Sequence, residues 1–489
     1  MIKENKQCFV LTLPLVTTIS DNSALDKYME LSRKLYNSLL GEALRRFNLM
    51  RESKLYQKAR KETDKKLRQN LFKDAETKYE FDNFSLNKYS TTLRVNEFKG
   101  IDANTVQALS ARAYDSVNKM RFGKATKVNF IRYGEMHSFE GLSNRQGIRF
   151  RDNIIYFNKL KLSVKIKPDD IYAQMALKNK IKYCRIKRTM IKGNWRYYVQ
   201  LILDGVPPTK IDRETGEFKH YIDNTNSKVG IDIGTQTVAY CSDREVGLLE
   251  LAPEVNNIEK QKRVLSRKLD RSRRSMNPNK YNENGTIIKG NKEKWIKSNR
   301  YLKTQNDLRE LQRKNVEIRK QSHNKLANHL LTIGTDIKVE QMNYKRLQKK
   351  AKKTTTNEKT GKTNKKKRFG KSLANKAPSM LLTILDNKLK WLDKRLSKIN
   401  TAKIKASQYN HISDAYVKKK LSERWNDFIE FKIQRDLYSA FLIMNVKDNL
   451  NEIDRNDCFE KFDSFRELHD KEVIRIKNCD SKLISSMGI

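Results

Sequence analysis

Hydrophobic and polar positions follow two different periods in the first third of the chain. Residues 7–18 alternate with the two-residue period of a strand. From Asp21 the apolar residues recur at steps of three and four, the period of an amphipathic helix that Asp21 or Ser23 could cap. The apolar members of this stripe are Leu25, Tyr28, Leu31, Leu35, Leu39 and Ala43. Charged helical patterns continue, so we expect a basic helical domain over residues 21–120.

After Gly123 the pattern changes to period two. The stretches GIRFRDNIIYFNKLKLSVKIK and KYCRIKRTMIKGNWRYYVQLILDG are rich in Ile, Val, Tyr and Phe, with turn residues at Arg-Asp-Asn and Lys-Gly-Asn. These features predict hairpins of a small β-barrel. Residues 1–20 would supply its first strand, and residues 121–226 the remaining strands and a polar linker.

The second half of the chain mixes strand and helix patterns. KVGIDIG, TVAYCS and VGLLEL follow one another at short spacing, as in an antiparallel meander, and TDIKVEQMN predicts another strand. We expect helices over residues 254–276, 291–331 and 379–399 and a strand over residues 402–409. Over residues 427–449 we expect an extended segment that leads into a helix. A chain of 489 residues exceeds one ordinary core, so these patterns predict an α/β protein of two to four domains.

The composition of the chain indicates which class of molecule it binds. Lys and Arg number 103 against 57 acids, a formal charge of +46 that attracts polyanions. A nucleic acid is the leading partner, and an anionic membrane surface is the alternative. No run of about 20 apolar residues predicts a membrane span, and the N-terminus predicts a strand rather than a signal peptide. Five scattered cysteines without a CxxC pair argue against a disulfide framework and favour a reducing cytosol.

Three acidic residues lie at positions where an unpaired charge would be unfavourable. Asp232 lies inside an apolar strand pattern, Glu340 ends another, and Asp436 shares a helix face with small residues. A buried carboxylate is costly unless it is paired or bound to metal. Three that converge could hold two Mg²⁺ ions about 3.5–4 Å apart for phosphodiester hydrolysis. The ordinary alternatives are a structural turn for the first acid, a strand-end salt bridge for the second, and a surface ion pair with Arg435 for the third.

The set resembles the RuvC-type, RNase H-like nucleases of the TnpB family, which are transposon-encoded, RNA-guided DNA nucleases related to compact type V CRISPR effectors. The matching motifs are GIDIGTQTVAY, IKVEQMNYKRL and QRDLYSAFLIMNV. Further upstream, SFEGLSNRQGIRF and GNWRYYVQLIL resemble the family's wedge barrel, and YNSLLGEALRRF resembles its helical recognition lobe.

This resemblance implies a function and its components. It implies catalytic metal ligands at Asp232, Glu340 and Asp436, with two Mg²⁺ ions per site that Mn²⁺ can replace. It implies a guide RNA and double-stranded target DNA as partners, with no membrane. It also implies a RuvC-like nuclease domain over residues 227–489, a bacterial cytoplasmic location and, by preference, a monomer.

One segment departs from the family. Members commonly carry a four-cysteine zinc ribbon before the third acid, whereas residues 403–432 contain no cysteine. His411 alone cannot hold tetrahedral zinc. We therefore predict a zinc-free ribbon remnant, packed by Tyr409, Tyr416 and Trp425.

Residues 345–371 form a lysine-rich segment nearly devoid of apolar residues, for which we expect no fixed structure in isolation. Beside a nucleic-acid channel its lysines would clamp RNA or a displaced strand, and aromatic residues of the barrel would stack on splayed bases. The ordinary alternatives are solvated charge for the lysines and core packing for the aromatic residues. The candidate contacts are Lys349, Lys350, Lys352, Lys353, Lys365, Lys366, Lys367, Tyr133, Trp195 and Tyr197.

Three other functions fit parts of the sequence. GIDIGTQT would suit the first phosphate loop of an actin-like sugar kinase or ATPase, but the second phosphate loop and the adenosine motif of that class are missing. A guide-dependent DNA-binding repressor that no longer cuts would fit the missing ribbon, although all three acids are present. A basic RNA-binding protein without catalysis would leave the three acids unexplained.

Overall fold

The computed structural model describes residues 7–211, 215, 222, 225–356, 361, 363, 369–420, 422–428, 430–479 and 484–489. The chain divides into two compact units, Met1–Phe218 and Lys219–Ile489. In its described part, the first unit combines helices with two small sheets, and the second is built on a five-stranded sheet covered by helices.

The first unit begins with a strand followed by helices. These elements are β1 (Cys8–Pro14), α1 (Ile19–Glu52), α2 (Lys54–Lys61), α3 (Lys65–Lys78), α4 (Asn83–Asn96) and α5 (Ala103–Arg121). A capping box starts α1, in which the Asp21 N–H donates to Thr18 Oγ1 (3.1 Å) and the Thr18 N–H donates to Asp21 Oδ2 (2.9 Å). Thr18 is therefore the cap, and Asp21, which the sequence suggested as the cap, supplies the return bond. The predicted apolar stripe is buried along α1, with Leu25, Leu35 and Leu39 fully enclosed.

Hairpins follow the helices in the first unit. Their elements are β2 (Ser138–Glu140), β3 (Arg149–Arg151), β4 (Ile154–Phe157), β5 (Leu160–Ser163), α6 (Ile171–Leu177), β6 (Ile181–Ile191) and β7 (Asn194–Asp204). One sheet has the order β1-β7-β6-β2 and the other the order β3-β4-β5. Both predicted turns are confirmed. The backbone angle φ is positive at Asp152 and Asn153 between β3 and β4. It is also positive at Lys192 and Gly193 between β6 and β7, as tight hairpin turns require.

The two sheets do not close into the predicted barrel. On one side a single bridge between Leu15 and Val164 joins the chain after β1 to the chain after β5. On the other side Asn144 takes the place of a strand between β3 and β6. Its side-chain amide donates to Phe150 O (3.3 Å) and accepts from the Phe150 N–H (2.7 Å), while its own N–H donates to Lys182 O (3.0 Å). The strands therefore form two sheets that meet at a seam, where the side chain of Asn144 joins β3 to β6.

The second unit starts with three strands and two long helices. They are β8 (Lys228–Ile233), β9 (Thr237–Ser242), β10 (Val246–Glu250), α7 (Glu259–Met276) and α8 (Asn299–Ile333). The next elements are β11 (Asp336–Glu340), α9 (Tyr344–Leu347), α10 (Gly370–Lys376), α11 (Pro378–Lys390), β12 (Ser397–Ile399) and α12 (Thr401–Ile404). The last are β13 (Tyr409–Asn410), β14 (Ala415–Tyr416), β15 (Trp425–Asp427), β16 (Lys432–Gln434), α13 (Arg435–Met444) and α14 (Arg455–Lys477).

The central sheet of the second unit has the order β10-β9-β8-β11-β12. Strands β8, β9 and β10 are antiparallel, which confirms the predicted meander, whereas β11 runs parallel to both β8 and β12. One face carries Val229, Ile231 and Ile337 and packs against α8 and α11. The other face packs against α13 and α14. An acid on the α13 face is therefore shielded from bulk water.

Two predicted elements of this unit were wrong in part. The helix expected over residues 379–399 ends with α11 at Lys390, and its last residues form β12 because Ile399, fully buried, pairs with Glu340 of β11. The strand expected over residues 402–409 is the helix α12 followed by the start of β13. Over such short segments one apolar spacing fits both a helix and a strand, so pairing with the sheet decides between them.

The segment predicted as a ribbon remnant forms two short hairpins, β13-β14 and β15-β16. The rings of Tyr409 and Tyr416 contact each other, with centroids 4.9 Å apart. Trp425 instead packs against His469 of α14, and its Nε1–H donates to Gly488 O (2.9 Å). Two of the three aromatic residues therefore pack together as expected, and the third joins the segment to the end of the chain.

Candidate functional site

Two strands at the centre of the second unit's sheet bring two acids together. The last parallel ladder pair between β8 and β11 is Ile231 with Val339. One step further in the same register come Asp232 and Glu340, whose side chains share one face because side chains alternate along both strands. The sheet thus joins residues that are 108 positions apart in the sequence.

The third acid, Asp436, reaches this face because α13 lies directly on β8. Gly230 allows the close approach, since a Cβ atom there would stand 2.0 Å from Ala440 O and 2.3 Å from Met444 N. Asp436, Ala440 and Met444 are four residues apart on α13 and share one side of the helix. The carboxylate of Asp436 is consequently close enough to Asp232 to act on its charge.

Buried hydrogen bonds of Gln434 fix the first turn of α13. Its Oε1 accepts from the Leu437 N–H (2.8 Å), and its Nε2 donates to Met487 O (2.9 Å). Its backbone N–H donates to Nε2 of His469 (2.9 Å). Gln434 is fully buried two residues before Asp436, so the fold holds that carboxylate in place.

Asp232 occupies an unfavourable place for a charge. Burial, and then the negative charges of Glu340 and Asp436, raise the pKa of Asp232 well above its ordinary value, while Arg435 opposes the shift. Burial raises the pKa of Glu340 as well. Shielded carboxylates that repel one another are typical of functional sites, where a bound cation relieves the repulsion.

Asp436 has guanidinium partners in the structure. Nε and Nη2 of Arg435 lie 3.2 and 3.1 Å from Asp436 Oδ1, and Nη1 of Arg424 lies 3.6 Å from Asp436 Oδ2. Arg435 is itself buried and donates to the carbonyl of Glu423 (3.0 Å). The ion pair with Arg435, which the sequence left as an alternative, is therefore present together with the approach to Asp232.

The metal-binding prediction has support from the chemistry of the donors rather than from their exact placement. In the described part of the chain, no group of three or more His, Cys, Asp or Glu side chains could hold a metal ion as it stands. Carboxylate oxygens are nevertheless the ligands that Mg²⁺ and Mn²⁺ prefer. Asp436 would have to exchange its guanidinium partners for the cation, so the metal site stays a prediction.

Tyr344, which the sequence did not single out, faces the two strand acids. Its hydroxyl oxygen is buried and has no hydrogen-bond partner among the described residues. Burial, and then the charges of Asp232 and Glu340, raise the pKa of Tyr344, so the hydroxyl stays protonated at neutral pH. A tyrosine just after a strand carries no pattern that would have revealed this position.

The predicted nucleic-acid contacts differ in their exposure. Lys349, Lys350, Lys352 and Lys353 are exposed, and Lys365, Lys366 and Lys367 lie outside the described residues. Tyr133 is 81% exposed. Trp195 is half-buried beneath the guanidinium of Arg188. Tyr197 is buried and its hydroxyl donates to Asp26, which favours the core-packing alternative for this residue. Contact with nucleic acid stays a prediction for all of them.

The chain is similar to solved structures but matches no protein family. No protein-family model matches the sequence, and no curated protein matches it. A solved complex of Cas12f1 with a single-guide RNA and target DNA is similar at 11% identity, over 90% of this chain and 99% of that chain, with a TM-score of 0.40. A CRISPR–Cas12f ternary complex is similar at 11% identity, over 87% and 82% of the two chains, with a TM-score of 0.26. None of the helices in the described part of the chain combines the length and apolar composition that crossing a bilayer needs.

Proposed function

We propose that the protein is a metal-dependent DNA nuclease of the RuvC type, directed to its target by a guide RNA. The observation that carries this proposal is the position of Asp232, half-buried on the central strand and repelled by Glu340 and Asp436. A fold keeps such a cluster at a cost in stability, and binding of cations is the function that uses it.

The three carboxylates would hold the catalytic cations. When bound, Mg²⁺ would activate water and stabilise the charge that develops on the departing oxygen. Asp232 and Glu340 offer ligands from adjacent strands, and Asp436 offers one from the helix above them. Tyr344 carries a protonated hydroxyl beside them that is available to donate to a phosphate oxygen of the bound strand.

Guide RNA and double-stranded DNA are the proposed partners. Support comes from the motif resemblance to the TnpB family and from the net charge of +46, which suits a protein that holds nucleic acid by its backbone. In this division of labour, guide pairing reads the sequence and the protein contacts phosphates, so many cations and few base-reading groups are needed.

A guide-dependent DNA-binding protein that does not cut is the second candidate. Its support is the pairing of Asp436 with Arg435 and Arg424, which supplies the site with positive charge in the absence of a cation. If these arginines held Asp436 permanently, the site could bind DNA through the rest of the protein without hydrolysing it.

The test compares cleavage by the wild type and by Asp232→Asn. The protein is purified with its bound RNA, that RNA is sequenced, and plasmids with the matching target and randomised flanks are incubated with Mg²⁺. We expect the wild type to cut and Asp232→Asn to cut at least about 1,000-fold more slowly. The reason is that a bound cation stabilises the charge of the transition state by several kcal/mol. Asp463→Asn, which changes an exposed acid of α14, is the matched control and should cut normally.

Thermal unfolding reports on the metal separately from cleavage. Millimolar Mg²⁺ should raise the Tm of the wild type by about 2 °C and leave that of Asp232→Asn unchanged. Without metal, Asp232→Asn should melt higher than the wild type because the repelled carboxylate is gone. Guide-dependent binding without cutting would favour the second candidate, and equal cutting by Asp232→Asn would refute the metal assignment.

A further inference from the structure

Helix α7 carries a row of cations on one side. It has no buried residue. At 3.6 residues per turn, the four side chains of this row fall within an arc of about 80° around the helix axis. We call them the α7 stripe: Lys260, Arg263, Arg267 and Arg271. The half-buried Leu265 and Leu269 lie on the opposite side, where α7 packs against α8.

Within the described residues, the α7 stripe forms no ion pair. All four side chains are exposed, and the described residues give them no hydrogen-bond or ion-pair partner. The acids of α7 form their ion pairs with other residues: Glu259 pairs with Lys262 (2.7 Å), although its charge also reaches Arg263. Likewise, Asp270 pairs with Arg273 (2.6 Å) and Arg274 (2.8 Å). Like charges three and four residues apart weaken a helix, so the row reduces helix stability until an anion binds to it.

The spacing of the α7 stripe suits a row of phosphates. From its first to its last member it extends about 16 Å, at about 1.5 Å per residue. A nucleic-acid strand presents one phosphate about every 3.4 Å along its axis, so about five phosphate spacings match this length. Arginine, which supplies three of the four cations, binds phosphate through paired hydrogen bonds. A compact anion such as a single phosphate would occupy only one or two members.

We propose that the α7 stripe binds the phosphate backbone of a nucleic-acid strand. Helix α7 packs against α8, which covers the sheet face opposite to the acids on β8 and β11. Binding to the α7 stripe requires neither a cation nor cleavage. An RNA strand and a DNA strand offer the same phosphates, so the chemistry is shared and the two sources are distinguished by experiment. The proposal therefore stands or falls independently of the nuclease assignment.

The test is binding by the full chain, freed of nucleic acid at high salt and kept in EDTA so that no cleavage occurs. The combined variant Lys260→Gln, Arg263→Gln, Arg267→Gln and Arg271→Gln is compared with the wild type on fluorescent 20-mers of uridine and of thymidine. We expect the slope of log affinity against log salt to flatten by up to about 2.8, at about 0.7 per phosphate contact. At 0.15 M salt the affinity should fall by between about tenfold and about 200-fold.

Two controls separate charge from folding. The variant Arg263→Lys, Arg267→Lys and Arg271→Lys keeps the charge and should keep the wild-type salt slope. Arg267→Gln alone, a single exposed change, should flatten the slope by about 0.7. Weakened binding of one strand or of both supports the proposal and identifies whether RNA, DNA or both bind to the α7 stripe. Wild-type affinity and slope for both strands in a correctly folded combined variant would overturn it, whatever Asp232→Asn does to cleavage.

Discussion

Asp232 is half-buried and His411 is fully buried in the second unit, and their surroundings shift the two pKa values in opposite directions. Asp232 is left facing two other acids. His411 is fully buried with its backbone N–H donating to Tyr438 Oη (3.1 Å), while its Nδ1 lies 2.6 Å from the same hydroxyl. Burial first, and then the charge of Arg455, lower the pKa of His411 to about 4. The histidine of the ribbon remnant is thus a neutral core residue.

The buried His411 predicts a loss of stability in acid. Because its pKa is lowered from 6.5 to about 4 in the folded state, the unfolded chain binds the proton more readily between these values. Its contribution is therefore present above pH 6.5 and is lost as the pH falls, by about 2 kcal/mol at pH 5. Urea unfolding at pH 7 and pH 5 measures this difference.

The variant His411→Phe should show a smaller difference between the two pH values than the wild type. The same pH dependence in His411→Phe and in the wild type would contradict the assignment. Burial also lowers the pKa values of His323 and His469, so some acid sensitivity should persist in the variant.

At the scale of elements, contact between one helix and one strand positions the candidate site. Helix α13 lies so close to β8 that Gly230 has no room for a side chain. At the other end of the helix, the buried ammonium of Lys338 on β11 donates to Val446 O and satisfies a carbonyl just beyond the last turn. Strand β8, strand β11 and α13 are thereby held as one assembly that carries all three acids.

Gly230→Ala should displace α13 and with it Asp436. The added Cβ would stand 2.0 Å from Ala440 O, which is backbone and cannot rotate away. We expect a loss of about 2–4 kcal/mol in the free energy of unfolding, together with loss of cleavage. Gly41→Ala in α1 is a suitable control, because its Cβ would meet only Phe130 at ordinary contact distances of 3.9 and 4.0 Å. Unchanged stability and cleavage in Gly230→Ala would show that α13 does not depend on this approach.

Much of this assembly can be predicted from the sequence, and there are physical reasons why the rest cannot. Local patterns predict which face of β8 carries Asp232, the antiparallel meander and both hairpin turns, because these depend on neighbouring residues. They do not reveal the parallel register that sets Asp232 beside Glu340, since that pairing joins distant segments. The approach of Arg424 to Asp436 and the isolated hydroxyl of Tyr344 arise only when loops and strands meet in three dimensions.

At the scale of the whole molecule, the net charge of +46 dominates. Acids are engaged in ion pairs on both units, as in the pair of Arg185 with Glu140 and that of Lys228 with Asp457. Many remaining cations face solvent, where their mutual repulsion disfavours the compact state and a polyanion relieves it. The exposed lysines that follow α9 are part of this excess of positive charge.

Neutralising the lysine segment should weaken binding of target duplex by the guide-loaded protein. The variant Lys349→Gln, Lys350→Gln, Lys352→Gln and Lys353→Gln should flatten the dependence of log affinity on log salt by up to about 3.6, at about 0.9 per duplex phosphate contacted. Filter binding between 50 and 300 mM salt measures the slope. Replacing the same four lysines with arginine keeps the charge and should preserve it. An unchanged slope in the glutamine variant would mean that this segment is ordinary solvated charge.

In the first unit, where residues 7–211 are all described, the amide of Asn144 joins β3 to β6 at the seam between the two sheets. The rings of Phe139 on β2 and Phe157 on β4 also meet between the sheets, with centroids 5.0 Å apart. Opening the seam would therefore expose these apolar rings to water as well as break the two bonds to Phe150.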